Sequence, residues 1–283
     1  MPIINIKKTI YRIPFVMLLI MTLLFSGCNR IDKLQVKLGM KNADFEYIKN
    51  NMANKIVIQS TRDLGFRFVV TDKSAIKELY SILSSAKKVD RKSSLKADYT
   101  FEIHKGDKVY KFDYIAGLDK HDAGNLFSED GKKIYIVSRR LDIDIIKNLW
   151  NTRKPTEFEK VYYGTILKFF KDYGNVVNKK NKAIGIDISQ DVEMQKYLLS
   201  IDIDSFKNKL SNVMPEAVLV DNNRTDFDVV VTLKTQGYKP SLYKAILLVD
   251  NKKEHSEKKY YVNDVYENGE WTIQISDKVM TGF

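Results

Sequence analysis

The chain has 283 residues, 44% of them hydrophobic and 29% charged, which suits one large or two ordinary folded domains and argues against wholesale disorder. Gly (13) and Pro (5) are too scarce for collagen-like or low-complexity architecture, and one Cys excludes an intrachain disulfide or a cysteine-based metal site. Three His beside a formal charge of +11 leave little material for acid–base chemistry near neutral pH, so most enzyme classes are disfavoured.

Residues 1–12 carry Lys7, Lys8 and Arg12 and no acid, and Ile13–Phe25 is an apolar run broken only by Pro14 and Thr22. The run is short for a spanning helix, which needs ~20 apolar residues, and suits the h-region of a signal peptide. It ends in Leu24-Phe25-Ser26-Gly27-Cys28-Asn29, with two small residues directly before the single cysteine. This resembles the lipobox of bacterial lipoproteins, with Phe25 where Leu is usual and Leu24 one step earlier. The resemblance implies a diacylglyceryl group on the Cys28 thiol and cleavage between Gly27 and Cys28. Small side chains flank the scissile bond, and the thiol must meet its lipid donor at the membrane surface. Residues 1–27 are then a signal peptide, and two acyl chains hold the mature chain on the extracytoplasmic face of the cell membrane. The alternative is an uncleaved N-terminal anchor with an idle thiol.

Residues 28–54 are polar with scattered apolars and read as a lipidated tether, or else as a short amphipathic helix. From Lys55 the pattern sharpens. Lys55–Ser60 and Gly65–Thr71 are rich in Val, Ile and Phe, as strands are. Asp72 is placed to cap a helix in which Ile76, Leu79, Tyr80 and Leu83 share one face to about Ser85. The basic stretch Lys87–Lys96 reads as a loop. Asp98–His104 and Lys108–Tyr114 alternate apolar and polar residues around Lys105-Gly106-Asp107, a hairpin signal. A polar loop, Gly117–Asn125, is followed by a strand over Lys133–Val137 and a second helix marked by Leu141, Ile145, Ile146, Leu149 and Trp150. Together these predict one antiparallel sheet with two helices on one face, over residues 55–151.

The strand GFRFVVT running into DKSAIKELYSILSSA, the hairpin DYTFEIHKGDKVYKFDY and the closing KKIYIVSRRLDIDIIKNLW resemble the YhfM-like domain of Firmicute lipoproteins. The likeness covers roughly Lys55–Trp150. Its motifs are structural and apolar, so it implies fold and location, with no activity and no catalytic residues.

Asn151–Glu157 contains a proline and reads as the boundary of a second domain over residues 157–283. Phe158, Val161, Tyr162, Ile166, Leu167, Phe169 and Phe170 line a helix expected to stop at Gly174. Ala183–Ser189 is strand-like, and Val192–Val213 reads as two short helices divided near Ile201–Asp204 and ended by Pro215. Strands follow at Ala217–Val220, Phe227–Lys234, Lys244–Val249 and Lys259–Tyr266, and Asn268-Gly269 turns the chain into Glu270–Ile275. A helix leading into long antiparallel strands is loosely similar to the cystatin-like or NTF2-like folds, over about the last sixty residues. The fold class expected of the whole is α+β: two domains, each an antiparallel sheet packed with helices.

Few residues are arranged for chemistry. Cys28 is expected to be acylated, and no Ser stands in a G-x-S-x-G elbow. His104 and His255 read as exposed surface residues. Asp119, His121 and Asp122 cluster in the Gly117–Asn125 loop, where they could hold a hard cation or polar ligand, although polar loops collect such residues by default. Asp221, Asp226 and Asp228 in DNNRTDFD lack the spacing of a calcium loop, and turn chemistry explains them better. Asp142/Asp144 and Asp202/Asp204 stand near helix starts, where acids are favoured. The lysine runs Lys87–Lys96 and Lys252–Lys259 suit an anionic surface, or simply a solvated one. Tyr260, Tyr261, Tyr266 and Trp271 are candidates to line a groove, the alternative being core.

The sequence therefore leads to a non-catalytic envelope lipoprotein that binds another envelope protein, peptide or polymer. It needs no cofactor, no metal and no nucleic acid. Two alternatives stand beside it: a membrane-associated hydrolase with clustered carboxylates in the second domain, and a module binding anionic lipid or teichoic polymer.

Overall fold

The computed structural model describes residue 36 and residues 40–118, 123–146, 154–177, 183–221 and 223–283. Gly27 and Cys28, the cluster Asp119, His121 and Asp122, and the latter part of the helix expected over 141–151 lie outside the described residues. No described helix is long and apolar enough to cross a membrane. The fold is α+β, built on two sheets.

The first sheet contains β1 (Lys55–Ser60), β2 (Arg67–Val70), β3 (Lys87–Lys88), β4 (Tyr99–Lys105), β5 (Lys108–Tyr114), β6 (Leu126–Ser128) and β7 (Ile134–Ile136). They run in the order β2-β1-β4-β5-β6-β7-β3, all antiparallel. Alternation in β4 and β5 sends Tyr99, Phe101 and Ile103 to one face, opposite Tyr114, Phe112 and Tyr110. Helix α1 (Lys73–Ser84) covers that face with Ile76, Leu79, Tyr80 and Leu83, and the Asp72 carboxylate accepts the Ala75 amide at 2.8 Å as its N-cap. Lys87–Lys88, expected as loop, instead pairs with Ile136 and Tyr135. Main-chain bonds to a free sheet edge carry that pairing, so side-chain pattern does not announce it. Leu141–Ile146 forms a π-helical turn with Leu141, Ile145 and Ile146 buried.

The expected tether is shorter than its composition suggests. Phe45, Ile48 and Ala53 are buried in the first core, around a 3-10 helix over Glu46–Asn51. The Phe45 ring lies 5.0 Å from Tyr135 and 5.5 Å from Phe112. Asn42 donates to the Leu83 and Ala86 carbonyls where α1 ends, and its own amide donates to the Ser84 carbonyl at 2.7 Å, tying the segment to the helix C-terminus.

The second sheet holds β8 (Ile184–Asp187), β9 (Ala217–Leu219), β10 (Val229–Lys239), β11 (Leu242–Asn251), β12 (Ser256–Glu267), β13 (Glu270–Thr272) and β14 (Ile275–Ser276). The order is β13-β12-β11-β10-β8-β9, with β14 also on β12. It is mixed rather than antiparallel throughout, because β8 runs parallel to both β9 and β10. All four β8 residues are buried, the unbroken burial of a covered parallel strand. Helix α2 (Phe158–Val177) packs its aromatic face on this sheet, with Phe169 5.0 Å from Tyr260. It runs through Gly174 rather than stopping there; an interior glycine costs about 1 kcal/mol, which aromatic burial along the helix outweighs. A 3-10 helix (Val192–Tyr197) and α3 (Ser200–Val213) divide at Leu198–Leu199, a few residues before the expected break. Asn268 and Gly269 take φ of +53° and +86°, the left-handed pair that a two-residue hairpin requires.

Candidate functional site

The two sheets meet where α3 begins. Leu199, at the N-cap position of α3, offers no side-chain acceptor to the first amides. Asp98, at the head of β4 in the other unit, supplies it: Oδ1 accepts the Ser200 amide at 2.8 Å, and Oδ2 accepts the Ala116 amide at 2.9 Å. Arg62 completes the junction. Its guanidinium donates to Asp98 Oδ1 at 2.6 Å, to the Leu198 carbonyl at 3.1 Å and to Ser200 Oγ. Burial pushes the Asp98 carboxyl above the usual carboxylate range, while Arg62 and the two amides pull it back. Nearby, Asp142 accepts the Tyr114 hydroxyl at 2.9 Å and the Gly117 amide at 3.0 Å. Its role is therefore that of a buried acceptor, beyond the helix-start preference its position suggests. Lys96 and Asp221 add an exposed pair at 2.8 Å across the same junction.

Beside this network a groove of about 230 Å³ opens between α2 and α3. Helical spacing places Glu159, Tyr163 and Leu167 on its α2 wall, and Asp202, Ser205 and Phe206 on its α3 wall. The Tyr163 ring stacks on Phe206 at 4.9 Å, and its buried hydroxyl has no hydrogen-bond partner among the described residues. Burial, then the negative charges of Glu159 and Asp98, push Asp202 up to about 6, against the opposing pull of Lys154 and Lys209. Lys160 on the rim is tied to Glu157 at 2.7 Å. The groove is smaller than the ~300–1,000 Å³ of typical drug-sized sites, so it suits a compact polar group. Chemically it offers an acceptor or proton donor near neutral pH, a second carboxylate and hydroxyls against an aromatic wall.

The other sequence candidates disperse. Tyr260 lies in the core beneath α2, Trp271 donates its indole N–H to the Thr156 carbonyl at 2.7 Å, and Tyr261 packs on Phe283 at 5.0 Å. The expected aromatic groove is thus not formed, because strand alternation sends Tyr260 and Tyr261 to opposite faces. His104 is half-buried rather than exposed, its Nε2 3.6 Å from Glu102 Oε2; flanking strands on both sides cover it. His255 is exposed, with φ of +48°. Several basic side chains of the lysine runs have local partners: Lys92 sits over Phe127 at 3.7 Å, Lys253 pairs with Asp228 and Lys258 with Asp277. In DNNRTDFD, Asn223 caps a short 3-10 turn and Arg224 pairs with buried Asp187 at 2.9 Å. No group of three His, Cys, Asp or Glu suited to a metal occurs among the described residues.

Residues 49–155 match the family model of the YhfM protein. The first unit is a YhfM-like domain, and the match begins inside the 3-10 helix that packs into its core. No curated protein and no solved structure matches the chain. Sequence reasoning missed the Arg62–Asp98–Ser200 junction and the Asp202 groove. One signal lies in the sequence: Leu198-Leu199, just before α3, have no side chain able to cap it, so an acceptor from elsewhere is called for.

Proposed function

We propose that this protein is a lipoprotein, anchored through diacylglyceryl-Cys28 to the extracytoplasmic face of the cell membrane, and works there as a non-catalytic binding module of the cell envelope. The lipobox-like Ser26-Gly27-Cys28 after an apolar run supports the anchor. The groove between α2 and α3 carries the binding reading: it holds a carboxyl that burial pushes up to about 6 and a tyrosine hydroxyl with no partner among the described residues, beside a tightly bonded junction. Intact mass of the membrane-extracted protein is expected to correspond to a chain starting at Cys28 plus the lipid. Whole-cell cross-linking is expected to return the same envelope component repeatedly. An unmodified leader, or a chain that stays solitary through repeated cross-linking, overturns the reading.

One observation favours a second reading, a membrane-associated hydrolase: Glu159 and Asp202 share a groove in the second unit, with Asp202 poised to exchange a proton near neutral pH. Turnover of wall-derived saccharides or peptides that Asp202→Asn abolishes would establish it; no turnover across such a panel removes it.

A further inference from the structure

A second groove, of about 280 Å³, lies on the YhfM-like unit along the open flank of α1. Ile56, Ile58, Val70 and Leu79 form its floor, and Asp72, Glu78 and Asp144 its rim. The groove exists because the sheet ends there. Among the described residues β2 has β1 as its only strand neighbour, and the register sets Val70 opposite Ile56 and Phe68 opposite Ile58, so both face the α1 layer.

The two edges of this sheet are treated differently. The far edge, β3, is two residues long and both are lysines, a combination that resists further pairing. β2 is twice that length, runs Arg-Phe-Val-Val without Pro or Lys, and pairs with β1 without a bulge. Val69 stands 52% exposed on its outer face. Such an edge can accept another strand.

Charge narrows what that strand is. On a chain of net +11, the described residues lining this groove include three acids and no base. Arg140 reaches the rim, pairing with Glu78 at 3.2 Å and Asp144 at 2.8 Å, while Asp72 is exposed and accepts the Ala75 amide on one carboxylate oxygen. An added strand turns every second side chain toward the α1 layer. We infer that β2 and this groove receive an extended segment of another protein whose successive inward-facing residues are one aliphatic and one Arg or Lys. The aliphatic side chain fills the floor, and the basic one lays its stem on it and carries its charge to the rim at Asp72 and Glu78. This rests on the binding-module reading and names the partner's chemistry.

The test uses the full chain in detergent and two labelled peptides, Thr-Val-Thr-Arg-Thr-Val-Thr and the same peptide with Glu for Arg, in fluorescence anisotropy. The Arg peptide is expected to bind more tightly by roughly tenfold, and Glu78→Lys to weaken it by roughly fivefold while tightening the Glu peptide. Proline in place of the two Thr that flank the Arg, removing their amides, is expected to abolish binding. Glu78 lies on the outer part of α1, and unchanged circular dichroism of Glu78→Lys verifies the fold. Equal affinity for both peptides, no reversal in Glu78→Lys, or indifference to the prolines overturns the inference. If whole-cell cross-linking still returns a partner from the Glu78→Lys protein, the groove assignment fails while the binding-module reading stands.

Discussion

Arg62→Met would remove the guanidinium and leave an unbranched apolar stem in its place. Asp98, its side chain 1% exposed, would keep the Ser200 and Ala116 amides but lose its only ion-pair partner among the described residues. The Leu198 carbonyl and Ser200 hydroxyl would each lose a donor as well. Stranding one member of a buried ion pair costs about 3–5 kcal/mol. The Arg62 side chain is 16% exposed, so water reaches part of the vacated space and the lower end, about 3 kcal/mol, is expected. The loss falls on the junction itself, since the pair holds β4 of the first unit to the start of α3 in the second. Calorimetry is therefore expected to show the first transition falling by about 6–12 °C and the two units unfolding separately. Asp98→Asn added to Arg62→Met removes the stranded charge and is expected to recover part of the loss. A single transition within about 1 °C of the parent, or a double variant no better than Arg62→Met alone, refutes the reasoning.

Two further outcomes follow from close packing and from buried carboxyls. At Gly185 an added Cβ would lie 2.6–2.7 Å from the Phe227 ring and 2.8 Å from Val220, so Gly185→Ala is expected to cost about 1–3 kcal/mol in urea unfolding; a neutral result would mean that β8 has slack. Asp264 accepts the Thr165 hydroxyl at 2.7 Å and the Gln274 amide at 3.0 Å, yet burial pushes it from 3.8 up to about 7. A raised carboxyl binds its proton in the folded state over a range where the unfolded chain has released it, so stability falls as pH rises from about 4 to about 7. At about 1.4 kcal/mol per pH unit the contribution is at most about 4 kcal/mol, and Asp264→Asn is expected to remove that slope. A parent-minus-variant curve that is flat between pH 4 and 8 contradicts it.

Periodicity within a segment was enough to determine much of this protein. The alternation of Tyr99, Phe101 and Ile103, the face made by Ile76, Leu79, Tyr80 and Leu83, and the left-handed demand of Asn268-Gly269 are local properties, and each element formed as its own residues direct. Composition likewise separated the charged connection before Phe158 from the strongly β tail. What depends on closure in space was not legible. Arg62 and Ser200 are 138 residues apart in the chain, and Asp98 becomes a helix cap only once another unit's helix points at it. Asp202 resembles any acid near a helix start until Glu159 and burial raise it. β8 shows its parallel partners only when the crossover through α3 returns β9 to its side. Propensity acts over one turn or one strand, whereas desolvation and charge coupling are set by neighbours that only the folded chain brings together.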